Sequence, residues 1–304
     1  MVFFTQDLPQ ICLSLDAETL LMGWGKELRV ANEAELDSAL PRFFVTDFFL
    51  QEPHPWRQFS EHRYISWKEL ASTPPLPIPI DGKILGKKRF EEAFEYLKNA
   101  FSKTSWKKAV PYAIWHSLTL PPAHFLDTCL KRAQPFSSSR YFYAYCCGKS
   151  GFLGLTPEIL FTKNEKTPKI LSTMALAGTT HGSSFTEISD KLQKEHRWTV
   201  QGIREALSPL GSVTEGSCSL LSLGALQHLY TPLQLDSKMP LGFTQCVLAL
   251  HPTPALGVYP KEVGLAWLKA YDQKLPRHCF GAPIGCIDPA TGRSVCYVAI
   301  RQIA

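Results

Sequence analysis

The sequence predicts an α+β fold with large, mostly antiparallel sheets. Strand-like segments arrive in blocks instead of alternating one for one with helices, and two separate stretches carry helical periodicity. The length, 304 residues, suits one large domain or two closely fused halves. We take 1–304 as a single domain, with a variable part over 1–100 and a motif-bearing part over 105–304.

The first block of strands is expected at 11–15, 19–22, 30–31 and 43–50, each rich in branched and aromatic residues. Pro74, Pro75, Pro77 and Pro79 then rule out a helix over 72–80 and favour extended chain. Phe90, Phe94, Leu97 and Phe101 recur at helical spacing and predict an amphipathic helix over 90–102. Strands are expected at 109–120, 141–145, 151–155, 159–162 and 170–177, the last closed by Gly178. The clearest helix is 187–207, with an apolar stripe of Ile188, Leu192, Val200, Ile203 and Leu207. Beyond it, 217–221 and 226–233 read as paired strands, 245–250 as a short helix end and 262–271 as a helix. Strands over 282–286 and 294–301 end the chain.

Composition removes several function classes. A hydrophobic fraction of 45% and a mean hydropathy of −0.08 describe an ordinary globular chain, which excludes disorder and collagen-like arrays. The net charge of +5 is not gathered into basic runs, so a dedicated nucleic-acid binder is not expected. No apolar stretch approaches the ~18 residues that span a bilayer. Met1 to Pro9 has no basic stretch and meets Asp7 early, so no secretory leader is expected. Nine cysteines without a C-x-x-C pair argue against structural zinc and a disulfide framework, and point to a cytoplasmic protein with reduced thiols.

Two carboxylates and two histidines stand out. Glu195 falls inside the apolar stripe of its helix, where a carboxylate costs several kcal/mol unless paired or metal-bound. Its ordinary reading is a salt bridge to Lys191, Lys194 or Arg197; the functional one is a metal ligand or acid in a pocket. Glu158 follows Pro157 in a turn between apolar strands. Acids in turns are mostly solvated, yet one held between buried strands has its pKa raised and suits general-acid work. His228 and His251 sit in apolar strings and fit core positions as well as site positions. No spacing matches a zinc site, a phosphate-cradling loop or a G-x-S-x-G nucleophile.

The order of the motifs adds what no single residue does. The chain runs Gly154-Leu-Thr-Pro-Glu158, Ala175-Leu-Ala-Gly-Thr179, Glu195-His196, His228-Leu-Tyr-Thr231, Leu250-His-Pro-Thr-Pro-Ala255, Phe280-Gly-Ala-Pro-Ile-Gly285 and Val298-Ala-Ile-Arg301. This series resembles the chorismate-utilising enzymes: isochorismate synthase, salicylate synthase, and component I of anthranilate and aminodeoxychorismate synthases. The resemblance implies an anthranilate synthase component I-like fold, two-layered with large antiparallel sheets. It implies that Glu158 protonates the departing C4 hydroxyl of chorismate. Glu195 corresponds to a Mg²⁺ ligand, the metal gripping the ring carboxylate. Ala177, Gly178 and Thr179 correspond to the loop beside that carboxylate, and His228 and Thr253 to pocket positions. Arg301 corresponds to the grip on the enolpyruvyl carboxylate.

Within the family, aminodeoxychorismate synthases carry a nucleophilic lysine where this chain has Ala177. Lys108, in Trp106-Lys-Lys-Ala-Val110, resembles the lysine that activates water, a position where anthranilate synthases carry glutamine. The pair implies an isochorismate synthase of menaquinone or siderophore metabolism, with salicylate synthase next. A lysine doing base work must be held neutral, and burial with Lys107 nearby would favour that. Leu192 and Phe280 replace an acid and a tyrosine usual in the family, and no acid follows Asp288. Set against the family, the sequence therefore reads as C-terminally shortened, which raises the alternative of a non-catalytic or degenerate chorismate-binding paralogue. Neither a nucleic acid nor a membrane is an expected partner.

Overall fold

The computed structural model describes residues 8–70, 82–117, 125–148, 150–181, 185 and 188–304. The proline-rich segment expected to be extended lies outside them. Elements are numbered in chain order, and the chain forms two compact units.

The first unit comprises the described residues of Met1–Asp81, Thr119–Lys166 and His278–Ala304. Its strands are β1 (Gln10–Ser14), β2 (Thr19–Val30), β3 (Arg42–Val45), β4 (Trp56–Ser66), β8 (Tyr141–Cys147), β9 (Ser150–Thr156), β10 (Ile159–Asn164), β16 (Pro283–Asp288), β17 (Arg293–Val298) and β18 (Gln302–Ile303). They pair in the order β10-β17-β16-β3-β4-β2-β1-β8-β9-β18, every neighbour antiparallel. Antiparallel sheets commonly bury one face; this one buries both. Ile11 and Leu13 of β1 join a core with Phe43, Tyr143, Ile284 and Tyr297. Cys12, between them, points the other way and packs with Leu20, Phe142, Trp67 and Leu130. Leu130 belongs to α2 (Phe125–Ala133), a helix the sequence reading does not anticipate.

The second unit comprises the described residues of Gly82–Leu118 and Thr167–Arg277. It holds β5 (Gly82–Leu85), α1 (Lys87–Lys103), β6 (Lys108–Ala109), β7 (Ile114–Ser117), β11 (Ile170–His181), α3 (Asp190–Leu207), β12 (Gly211–Glu215), β13 (Ser219–Leu223), β14 (Leu226–Ser237), α4 (Phe243–Leu250), β15 (Val258–Tyr259) and α5 (Lys261–Gln273). Long strand β14 pairs with β11 on one side and with β12 and β13 on the other. Two short ribbons, β15-β6 and β5-β7, complete the unit.

Three expectations are corrected. Gly178 does not close β11: at φ +79° it forms a bulge between Ala177 and Thr179, and the strand continues to His181. The strand expected over 109–120 is split after Ala109 and resumes at Ile114, with Pro111 in the gap. Helix α1 forms, but its buried residues are Ala93 and Leu97, while Phe94 is half exposed.

Candidate active site

Helix α3 follows Ser189 and opens on Asp190, whose carboxylate suits the positive dipole end of the first turn. Its buried residues His196, Val200, Ile203 and Leu207 follow the expected stripe. A second face packs on the β15-β6 ribbon. A Cβ at Gly202 would lie 2.5 Å from Pro254 and 3.2 Å from the Tyr259 ring. The Tyr259 hydroxyl donates to Glu205 at 3.1 Å. Glu195 stands two turns before Gly202, on this same face.

The ribbon brings Glu195 its partner. Lys108 pairs in register with Tyr259, and the Lys107 amide donates to the Tyr259 carbonyl at 2.9 Å. Lys108 is only 7% exposed, and its Nζ donates to Glu195 Oε1 at 2.5 Å. Glu195 is therefore in a salt bridge, with a lysine 87 positions away instead of Lys191, Lys194 or Arg197. Its side chain is 33% exposed, so the carboxylate keeps access to water.

His196, beside Glu195 in sequence, turns toward the sheet. The Ala177 carbonyl can only accept, so Nδ1 donates to it, at 3.2 Å. In the neutral ring Nε2 then accepts from Thr231 Oγ1, at 2.7 Å. Burial lowers the pKa of this histidine, and the Lys108 charge adds to that. His196 thus ties α3 to the strand segment Ala177-Gly178-Thr179, where Thr179 Oγ1 meets His228 Nδ1 at 2.9 Å. A Cβ at Gly178 would lie 3.1 Å from the Leu192 carbonyl, so glycine also lets the helix approach the bulge. Thr253 is buried at a turn in which its carbonyl accepts from the Gly257 amide at 2.9 Å. His251 is buried too, and its carbonyl accepts from Lys261 Nζ at 2.7 Å.

Glu158 and Arg301 belong to the other unit. Glu158 is 4% exposed; its amide donates to Thr156 Oγ1 and its carbonyl accepts from the Val298 amide, both at 3.1 Å. These bonds fix the Thr-Pro-Glu turn between β9 and β10. Arg301 follows the carbonyl of Ile300, which accepts from Tyr143 Oη at 2.8 Å, and has φ +55°. Burial, and then the neighbouring charge of Arg140, lower its pKa.

The geometry thus joins Lys108 with Glu195, Ala177 with His196, and Thr179 with His228. His196 is the site residue that sequence reasoning named only as part of a motif; its signal is a polar side chain inside an apolar helical stripe. Among the described residues no three His, Cys, Asp or Glu side chains gather into a metal cluster.

A family described as chorismate binding enzyme matches residues 54–303. The chain belongs to this family. Over 165 residues it is 32% identical to the salicylate biosynthesis isochorismate synthase of Pseudomonas aeruginosa, an alignment covering 51% of this chain and 34% of that one. It is 27% identical over 164 residues to the isochorismate synthase EntC of Escherichia coli K12, covering 49% and 40%. The matched stretch thus spans about a third to two fifths of these relatives' own length. Among solved structures, the fold resembles MenF, the menaquinone-specific isochorismate synthase of Escherichia coli (TM-score 0.73, 16% identity, 99% of this chain and 81% of that one). It also resembles anthranilate synthase component I of Streptococcus pneumoniae (TM-score 0.69, 14% identity, 99% and 85%). Both likenesses agree with the fold expected from the motifs. Among the described residues no helix is long and apolar enough to cross a membrane.

Proposed function

We propose that this chorismate binding enzyme is an isochorismate synthase, adding water at C2 of chorismate and expelling the C4 hydroxyl. The observation that carries the reading is the Lys108–Glu195 contact: the residue assigned to water activation is buried against the one assigned to the metal. Ala177 stands where a covalent route would need a lysine, so the nucleophile comes from outside the protein.

In this mechanism Lys108 takes the proton that water loses as its oxygen bonds to C2. As an ammonium donating to Glu195 it cannot accept that proton, so Lys108 must first give one to solvent, which reaches the part-exposed Glu195, and leave the carboxylate. Glu158 gives its proton to the C4 oxygen, which departs as water, so atoms and charge balance. Arg301 holds a substrate carboxylate, with Arg140 adding to the local positive charge. The Ala177-Gly178-Thr179 segment, pinned by His196 and His228, orients the ring.

The donor set suits Mg²⁺ in a limited way. Glu195 offers a hard oxygen with access to water, and Mg²⁺ commonly keeps several waters beside one or two carboxylates. Held at Glu195, Mg²⁺ would supply neutralisation of the substrate's ring carboxylate. All nine cysteines are free, which suits a cytoplasmic setting, and menaquinone biosynthesis is the pathway proposed for the product.

The test is product analysis by NMR after incubation with chorismate and Mg²⁺. Isochorismate is expected, with no mass added to the intact protein. Glu158→Gln should keep chorismate binding and lose turnover by roughly 10²-fold or more. Anthranilate or aminodeoxychorismate formed on adding ammonia would overturn the assignment. Chorismate binding without turnover would favour the non-catalytic alternative.

A further inference from the structure

A cavity of about 740 Å³ lies against α3, on its Gln193–Arg197–Gln201–Arg204 side, inside the second unit. Glu195 and Gly202 face the β15-β6 ribbon instead and do not line it. Buried Val200 and Leu229 supply apolar lining, and buried His196 and Thr231 add polar edges. The volume is that of a small-molecule site.

The charges around it are unequal in their commitments. Arg204 is held by Glu215 at 2.5 Å. Glu205 accepts from Tyr259 Oη and from Gln201. Arg197 has no carboxylate partner among the described residues; its guanidinium meets only Gln193 Oε1, at 3.4 Å. A half-exposed aromatic ring, Phe185, and the exposed thiol of Cys218 also line the cavity.

We propose that this cavity is a second binding site, for a small monocarboxylate with a flat apolar body. One uncommitted guanidinium matches one negative charge, and a dianion would leave a charge unpaired beside apolar walls. Val200, Leu229 and Phe185 cover the ring while Arg197 takes the carboxylate. The site has a physical route to the Ala177-Gly178-Thr179 segment. His196 and Thr231, bonded to each other, line the cavity, and His196 also binds the Ala177 carbonyl.

Benzoate is the probe, with benzamide as the uncharged control, titrated calorimetrically into the full chain without chorismate. Cys218 alkylation is followed in parallel by peptide mass spectrometry. We expect benzoate to bind, benzamide to bind more weakly, and benzoate to slow alkylation of Cys218 while leaving that of Cys147 unchanged. Arg197→Glu should weaken benzoate by about tenfold or more, the worth of a charge-assisted hydrogen bond. Arg197→Gln serves if that variant folds poorly. No binding at millimolar benzoate, binding that leaves Cys218 unprotected, or binding unchanged by loss of Arg197 would each overturn the site. None of these outcomes bears on whether chorismate is converted.

Discussion

Removing either member of the Lys108–Glu195 pair leaves a charge without its partner, but the two losses are unequal. Glu195 keeps a third of its side chain exposed and can exchange the ammonium for water, whereas Lys108 is almost fully buried. Glu195→Gln should therefore cost more than Lys108→Met, each within about 1–3 kcal/mol, as urea denaturation would report. Equal costs would mean that Lys108 finds another acceptor. The sequence places Glu195 within an apolar stripe and so gives it a partner. In the structure His196 takes the buried position, and Glu195 stands beside the stripe, a third exposed, facing the ribbon. Which partner it takes is not legible in the sequence, because a contact across 87 positions depends on a ribbon between two short strands. His196 adds a pH dependence with a definite sign. Its folded pKa is lowered, chiefly by burial, so below its ordinary value near 6.5 the unfolded chain binds a proton that the folded chain refuses. Stability should fall as pH drops below about 6.5 and stop falling, for this group, once the folded histidine also protonates. His196→Gln should flatten that part of a stability-versus-pH curve measured by denaturant titration.

Among the elements, β11 shows how a residue can be noticed and its role misjudged. Gly178 reads as a stop because glycine punctuates strands. In the structure it supplies one left-handed residue, the strand resumes on the far side of the bulge, and the Leu192 carbonyl of α3 comes close. Gly178→Ala should thus destabilise by about 1–2 kcal/mol through backbone strain, with a further loss if α3 is pushed away. Chemical denaturation measures the first effect, and chorismate affinity the second. A cost near zero would mean that the bulge relaxes. Helix α1 makes the complementary point. Periodicity finds the helix, but Phe94 lies outward, stacked on Phe90 beneath the Lys98 ammonium, while small Ala93 is inside. Helical spacing does not reveal which neighbours a face will meet. Strand β4 escaped the sequence reading for a related reason: Ser60, Glu61, His62 and Arg63 in its middle are exposed, so its apolar signal is confined to its ends.

At the scale of the whole chain, the first unit is assembled from three separated segments, and the last supplies interior strands. β16 and β17 stand between β3 and β10 in the sheet order, so the C-terminal segment links strands contributed by the first and second segments. Ile284, Cys286, Val295 and Tyr297 are buried there, and the Tyr297 hydroxyl donates to the Ser14 carbonyl at 2.6 Å. Such a sheet pays its loop-closure entropy early and recovers it only when the last strands dock. A chain ending at Arg277 would leave β3 without its β16 partner, Phe43 without the apolar side chains stacked on it, and β10 with an open edge. Hydrogen exchange should then report lost protection at β3 and β10, the two strands that lose their C-terminal neighbours. Retained protection at both strands would mean that the first two segments form a stable sheet alone. That outcome would require Phe43, Tyr143 and Leu13 to bury one another without the strands that now lie between β3 and β10.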